Sequence, residues 1–186
     1  MTPTLSIIVP TVGRASLVPT LQSIADQPLL PGDEVLVIGG GGDVRGVVEA
    51  FGYRHLAHAP GGHWGCEERT HGLAHARGSH LAFLDDDDCW VPGARTRIAD
   101  ALATTPDRPA LFRMTYPDGR ILWDDPALRC GNVSTQMLVL PNEPAKFGTW
   151  TIRREGDYDF LVSMQWPAAS IVWRPDVIAW VIPHAR

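Results

Sequence analysis

Basic side chains are scarce. Sixteen Lys and Arg stand against 21 Asp and Glu, Lys146 is the only lysine, and the formal net charge is −5 with a pI near 5.7. With no Lys/Arg cluster or stripe, the chain lacks the electrostatic footprint of a nucleic-acid binder. The three cysteines, Cys66, Cys89 and Cys130, form no CxxC pair and no disulfide framework, so a reducing compartment, the cytoplasm, is the expected location. Nowhere do about 18 apolar residues run together, as a spanning helix requires. The N-terminal "MTPTLSIIVP" has no basic region ahead of a long apolar stretch. The chain reads as soluble, with a peripheral membrane contact left open. Internal repeats, low-complexity segments and a clear linker are missing too, which argues for a single domain.

What is present fits that size: 186 residues, 45% of them hydrophobic, can bury an ordinary core. Residues 5–9, "LSIIV", form a β-branched run stopped by Pro10, and Leu17, Leu21 and Ile24 follow at helical spacing. "EVLVI" (34–38) is a second strand ending in four glycines, 39–42, before a helix over 44–51. "YRHLA" suggests a third strand; a Gly-rich loop leads to a helix over 66–76, and His80 to Leu84 form the next strand. Strands alternating with helices predict an α/β fold with a mostly parallel sheet covered on both faces. From about Ala110, short runs separated by turns ("ALFRMTY", "GRILW", "TQMLVLP") predict a smaller mixed or antiparallel half. "DYDFLVSMQW" suits a short helix, and "ASIVW" and "VIAWVI" read as closing strands. The expected division is a nucleotide-binding half over 1–93 and an acceptor half over 94–186.

Four consecutive carboxylates, Asp85 to Asp88, stand directly after the strand His80 to Leu84. In an extended segment side chains alternate, so Asp85 and Asp87 point one way and Asp86 and Asp88 the other. A pair of converging carboxylates is relieved by a divalent cation, and hard oxygen ligands suit Mg²⁺ or Mn²⁺ shared with a substrate phosphate. Most acidic runs are merely solvated; the position at the carboxyl end of a buried strand is what favours a site here.

Three stretches carry a family resemblance. "LSIIVPTVGRASLVPTLQSI" resembles the opening of family 2 glycosyltransferases of the GT-A fold; "RTHGLAHARGSHLAFLDDDDCWVPG" is similar to that family's helix, strand and Asp-x-Asp segment; "EGDYDF" resembles its late acidic motif. The resemblance implies a metal-dependent, inverting transfer of a sugar from a nucleoside-diphosphate donor to a hydroxyl acceptor, whether sugar, lipid-linked glycan or small molecule. It implies Pro10, Thr11 and Arg14 at the nucleotide, Asp85 and Asp87 at the metal and diphosphate with Asp87 the direct ligand, Asp86 beside them at the donor, and Arg69 facing the diphosphate or sugar. Asp157 is the implied general base. Placed at a helix N-terminus, it would be held in its charged form.

The departures are informative. Gly39 and Gly40 stand where the family has base- and ribose-binding Asp residues, so base selectivity is expected to be weak, with backbone N–H groups of residues 41–43 or the Asp43 side chain left to reach the nucleotide. Gly156 replaces a Glu, and Thr70 an Asn. "MQWP" lacks the signature of processive polysaccharide synthases, which favours a single-transfer enzyme. Two other readings compete. A GT-A-like module without catalysis, acting as a binding or assembly partner, is favoured by the missing Asp. A zinc-binding hydrolase is suggested by the histidines between His55 and His80, with His71 and His75 four apart on one helix face, but no third ligand has typical spacing. Trp64, Trp90 and Trp150 are expected in loops near the site, where flat rings suit sugars.

Overall fold

A computed structural model describes residues 2–40, 43–59, 61 and 64–182. Its first strand, β1 (Leu5–Thr11), is buried at every position. The strand runs through Pro10 rather than stopping there. Pro10 lies beyond the last β1–β4 pair, Ile8 with Phe83, so its missing N–H removes nothing from that ladder. Helix α1 (Leu17–Ala25) buries Leu17, Leu21 and Ile24, the predicted stripe, together with Thr20. Next come β2 (Glu34–Gly39), α2 (Val44–Ala50), β3 (Arg54–Leu56), α3 (Cys66–His75) and β4 (His80–Phe83), the alternation the sequence predicts.

β1 pairs in parallel with β2 and with β4, and β2 with β3. The chain moves outward from β1 to β3 and then returns to lay β4 on the other side of β1. This reversal opens a crevice at the carboxyl ends of β1 and β4, where open α/β sheets bind ligands. The loop after β1 and the acidic run after β4 meet there.

Further along the chain come β5 (Asp88–Trp90), α4 (Ala94–Thr104), β6 (Ala110–Thr115), β7 (Ile121–Leu122), β8 (Leu138–Pro141), α5 (Gly156–Ser163) and β9 (Val172–Val181). Among the described residues these complete a nine-stranded mixed sheet ordered β3-β2-β1-β4-β8-β6-β9-β5, with β7 paired to β6. β8 is antiparallel to β4 and β6, while β9 is parallel to β6 and antiparallel to β5. The two expected closing strands are one strand, β9. It passes Pro175 inside an irregularity, where successive pairs jump from Trp173 to Val177, so the imino acid withholds no ladder bond. β5 and α4 have no counterpart in the sequence reading. α4 is secured by buried Arg95, whose guanidinium grips Asp33 at 2.7 and 3.0 Å.

An aromatic cluster ties the end of β4 to α5. Trp150 stacks on Phe160 with ring centres 3.9 Å apart, and Phe83, the last residue of β4, meets Trp150 edge-on at 5.7 Å. Such pairs add about 0.5–1.5 kcal/mol beyond area burial. They set the distance between the two acidic sites described next.

Candidate active site

The acidic run is a turn, not an extended segment: the Asp88 N–H donates to the Asp85 carbonyl at 3.1 Å. The alternation expected from sequence holds for Asp85, Asp86 and Asp87 and fails at Asp88. The turn swings Asp88 round to Asp85 and Asp87, with a carboxylate oxygen of each within 4.8 Å of the others. Asp86 is sent back toward β1, where its carboxylate accepts the Thr11 hydroxyl at 2.6 Å, the Val12 N–H at 3.2 Å and the Arg14 guanidinium at 3.2 Å. Arg14 also pairs with Asp87. Helix α1 holds the far side: the Thr20 hydroxyl donates to the Asp88 carbonyl at 2.7 Å, and the Trp90 N–H donates to the Ser23 hydroxyl at 3.0 Å.

Pro10, Thr11, Arg14, Arg69, Asp85, Asp86 and Asp87 thus share one cleft of about 450 Å³, and Glu68 and Trp64 join them. Burial, with the charges of Asp85 and Asp87, pushes the Asp88 carboxyl up to about 8 against a hydrogen bond from Gln136. Asp85 rises to about 6, chiefly through burial, although Arg69 opposes the rise. Three carboxylates brought this close repel one another and are relieved by a hard divalent cation, so this donor set fits Mg²⁺ or Mn²⁺.

Arg69 is buried at the hub of the site. Its Nη2 donates to Asp85, its Nη1 donates to the Trp64 carbonyl at 2.7 Å, and Nη1 lies 4.0 Å from Asp157. Burial works against the guanidinium charge, but Asp85 and Asp157 hold it protonated. Asp85 also accepts the Gln136 amide at 2.5 Å.

Asp157 is not a helix cap. α5 begins at Gly156, one residue before the stretch expected to be helical, with Glu155 flanking it, so Asp157 sits inside the first turn. Its carboxylate accepts the Ser134 hydroxyl at 2.8 Å, the Thr135 N–H at 3.1 Å and the Trp150 indole N–H at 3.3 Å. Burial alone would raise its pKa, yet Arg69 and these donors outweigh it and the carboxyl falls below its ordinary value. Asp157 lines a smaller cleft of about 110 Å³ that shares Arg69, Asp85 and Trp64 with the main one. Asp159 faces elsewhere, bound to Arg153 and Thr151.

Gly39 ends β2 at φ +98°, and a Cβ there would lie 2.5 Å from the Thr11 carbonyl oxygen and 3.1 Å from the Glu68 Cγ. The absent Asp is therefore a steric demand of this backbone. Gly40 is also left-handed, at φ +78°, and a Cβ there would strike Val44. Asp43 flanks α2 without a side-chain capping bond and lies outside the lining of the cleft; residues 41 and 42 are outside the described residues. His71 stacks near His75 at 4.4 Å and His58 at 5.1 Å. Among the described residues, though, the group of three or more potential metal ligands is the aspartate one. His63 is not among them. Of the three tryptophans, Trp64 is at the cleft, 67% exposed, while Trp90 is a buried residue of β5 and Trp150 a buried packing residue.

Sequence reasoning missed Glu68, Asp88, Ser134 and Gln136. The last two carry no local motif. They precede β8, and only knowing that β8 pairs with β4 brings Gln136 to Asp85, while Ser134 reaches Asp157.

The crevice at the β1/β4 switch and the mixed sheet around it define a GT-A fold. The chain superposes on TarS of S. aureus with a TM-score of 0.74 at 16% identity, covering 97% of this chain and 37% of that one. It superposes on TarS residues 1–349 in complex with UDP-GlcNAc with a TM-score of 0.72 at 15% identity, covering 98% and 59%. Residues 6–161 match the model of Glycosyl transferase family 2, and the chain belongs to that family. An uncharacterized glycosyltransferase of Haemophilus influenzae is 26% identical over 183 residues, covering 86% of this chain. The chain spans 61% of that relative's length. Among the described residues no helix is long and apolar enough to cross a membrane.

Proposed function

We propose that the chain is a metal-dependent, inverting glycosyltransferase that moves a sugar from a nucleoside-diphosphate donor to an acceptor hydroxyl in a single transfer, working in the cytoplasm or at a membrane surface. The observation that carries this reading is the placement of Asp85 and Asp157 on two sides of one buried guanidinium, Arg69, with a cleft on each side. TarS has been seen with UDP and with UDP-GlcNAc, so UDP-sugars are the first donors to try.

In this reading the Pro10–Arg14 loop, shaped by Asp86, receives the nucleotide. Asp85, Asp87 and Asp88 would hold Mn²⁺ or Mg²⁺. A bound divalent ion supplies positive charge to the departing diphosphate. Arg69 keeps its charge between donor and acceptor sides and fixes Asp85. Asp157, ionised in the neutral range, takes the acceptor proton as the new bond to the anomeric carbon forms and the bond to the phosphate oxygen breaks, which inverts that carbon.

Titration of UDP, GDP, TDP and CDP with Mn²⁺ and with EDTA tests the donor site: tighter binding with Mn²⁺ is expected, and equal binding rejects the assignment. A protein that binds nucleotide with Mn²⁺ but never turns over a UDP-sugar would instead be the non-catalytic module.

A further inference from the structure

We infer that Glu68 replaces the carboxylate excluded at position 39 and reads a nucleobase that presents a ring N–H: uracil, thymine or guanine, rather than cytosine or adenine. This rests on the donor-site reading above and names the base class that site takes.

Glu68 is on α3, on the face turned toward β1 and β2. Gly72, one turn further on, comes so close to that sheet that a Cβ there would lie 2.7 Å from Ile8 and 3.1 Å from Ile38. An apolar residue at position 68 would be the cheaper choice, because burying a carboxylate demands hydrogen-bonding partners. Glu68 is 2% exposed and nevertheless lines the main cleft beside Pro10 and Thr11. Its Oε1 accepts the Gly61 N–H at 3.2 Å, and His58 Nδ1 lies 3.9 Å away. That imidazole nitrogen is buried without a hydrogen-bond partner among the described residues, so a second polar group lies beside the Glu68 carboxylate.

The geometry at Gly39 completes the argument. β1 and β2 run in register there, Thr11 opposite Gly39, and the Thr11 carbonyl blocks any side chain at position 39. The Glu68 stem passes 3.1 Å from where such a side chain would start. The Glu68 side chain from α3 therefore passes through the space where a residue at the end of β2 would have started, bringing a carboxylate to that side of the cleft from the opposite direction. As an acceptor-only group when ionised, it matches a base edge that donates, and it sets its lone pairs against the bare ring nitrogen of cytosine or adenine.

The test uses the full chain with Mn²⁺ and calorimetry. Wild type should bind UDP on the order of tenfold to a hundredfold more tightly than CDP or ADP, the scale of one hydrogen bond to a charged group. UDP methylated at the ring N–H should lose the same factor, and this needs no variant to fold. Glu68→Gln can donate to cytosine, so it should narrow the UDP-to-CDP ratio at least tenfold. Equal binding of UDP and its N-methylated form, an unchanged ratio in Glu68→Gln, or a wild-type preference for CDP or ADP overturns the inference while leaving the donor site standing. Failure of every nucleoside diphosphate to bind with Mn²⁺ removes the donor-site reading, and the inference with it.

Discussion

Arg69 donates to Asp85 through Nη2 and lies 4.0 Å from Asp157 through Nη1, so one buried cation holds the two sides of the site in fixed relation. Arg69→Met should strand both carboxylates and lower stability by about 3–5 kcal/mol, the scale for removing one partner of a buried ion pair. The midpoint of urea unfolding measures it. Arg69→Lys keeps charge but not the fork, and its midpoint should fall between the two. A midpoint for Arg69→Met within experimental scatter of wild type would show that water already screens the pair.

Asp157→Asn should leave nucleotide binding with Mn²⁺ within about twofold of wild type while lowering sugar transfer by about 10²–10⁴, the range for a positioned base. Asp157 is no cap, so the exchange disturbs no helix end. Asp159→Asn should change transfer less than about twofold, since it weakens only contacts to Arg153 and Thr151, both exposed. Comparing initial rates of the two variants decides the register; inactivity of Asp159→Asn with an active Asp157→Asn would reverse the assignment.

Asp86 is read from the sequence as pointing away from the metal pair, which suggests a mild role. Its bonds to Thr11, Val12 and Arg14 give it another: it clamps the loop after β1. Asp86→Ala should lower stability by about 1–3 kcal/mol by leaving buried donors unsatisfied. It should also weaken nucleotide binding even without metal, an effect Asp87→Asn should not share. Parallel titrations in EDTA separate the two.

Without metal, the Asp88 carboxyl is raised from 3.8 to about 8 in the folded protein. Between these values the folded state binds more protons than the unfolded state, so stability falls as pH rises through the window. Asp85 completes most of its change near 6, and His71 and His80, both depressed from 6.5 mainly by burial, slope the other way only below that value. Urea unfolding in EDTA from pH 7 to 8 should therefore show declining stability in wild type and a flatter profile in Asp88→Asn. A rise in wild-type stability across that interval would contradict it.

Where the chemistry follows one strand end, it is legible in the sequence: Pro10, Thr11, Arg14 and Asp85 to Asp87 lie at the carboxyl ends of β1 and β4, which alternation of strand and helix already places together. Asp88 was hidden because side-chain alternation assumes extended backbone, and one turn hydrogen bond reverses it. Gln136 was hidden because it reaches Asp85 across 51 residues through a strand pairing that no local pattern announces. α4 went unread because its buried face has only two large apolar residues, Ile98 and Leu102, beside Ala94, Ala101 and buried Arg95, so hydrophobic spacing is faint. The late start read for α5 has a similar origin: Gly156 is an unfavourable helix residue, and composition alone starts the helix too far along.

The sheet order has a practical consequence for engineering. Residues 88–90 belong by sequence to the first half, yet as β5 they form an edge strand paired with β9, the last strand of the chain, while β4 is joined to β8. A chimera cut at residue 93 would give each parent fragment an orphaned sheet edge, and such edges aggregate. Exchanging segments with a relative thus calls for grafting a stretch such as that between β8 and α5, which interrupts no ladder, rather than shuffling halves.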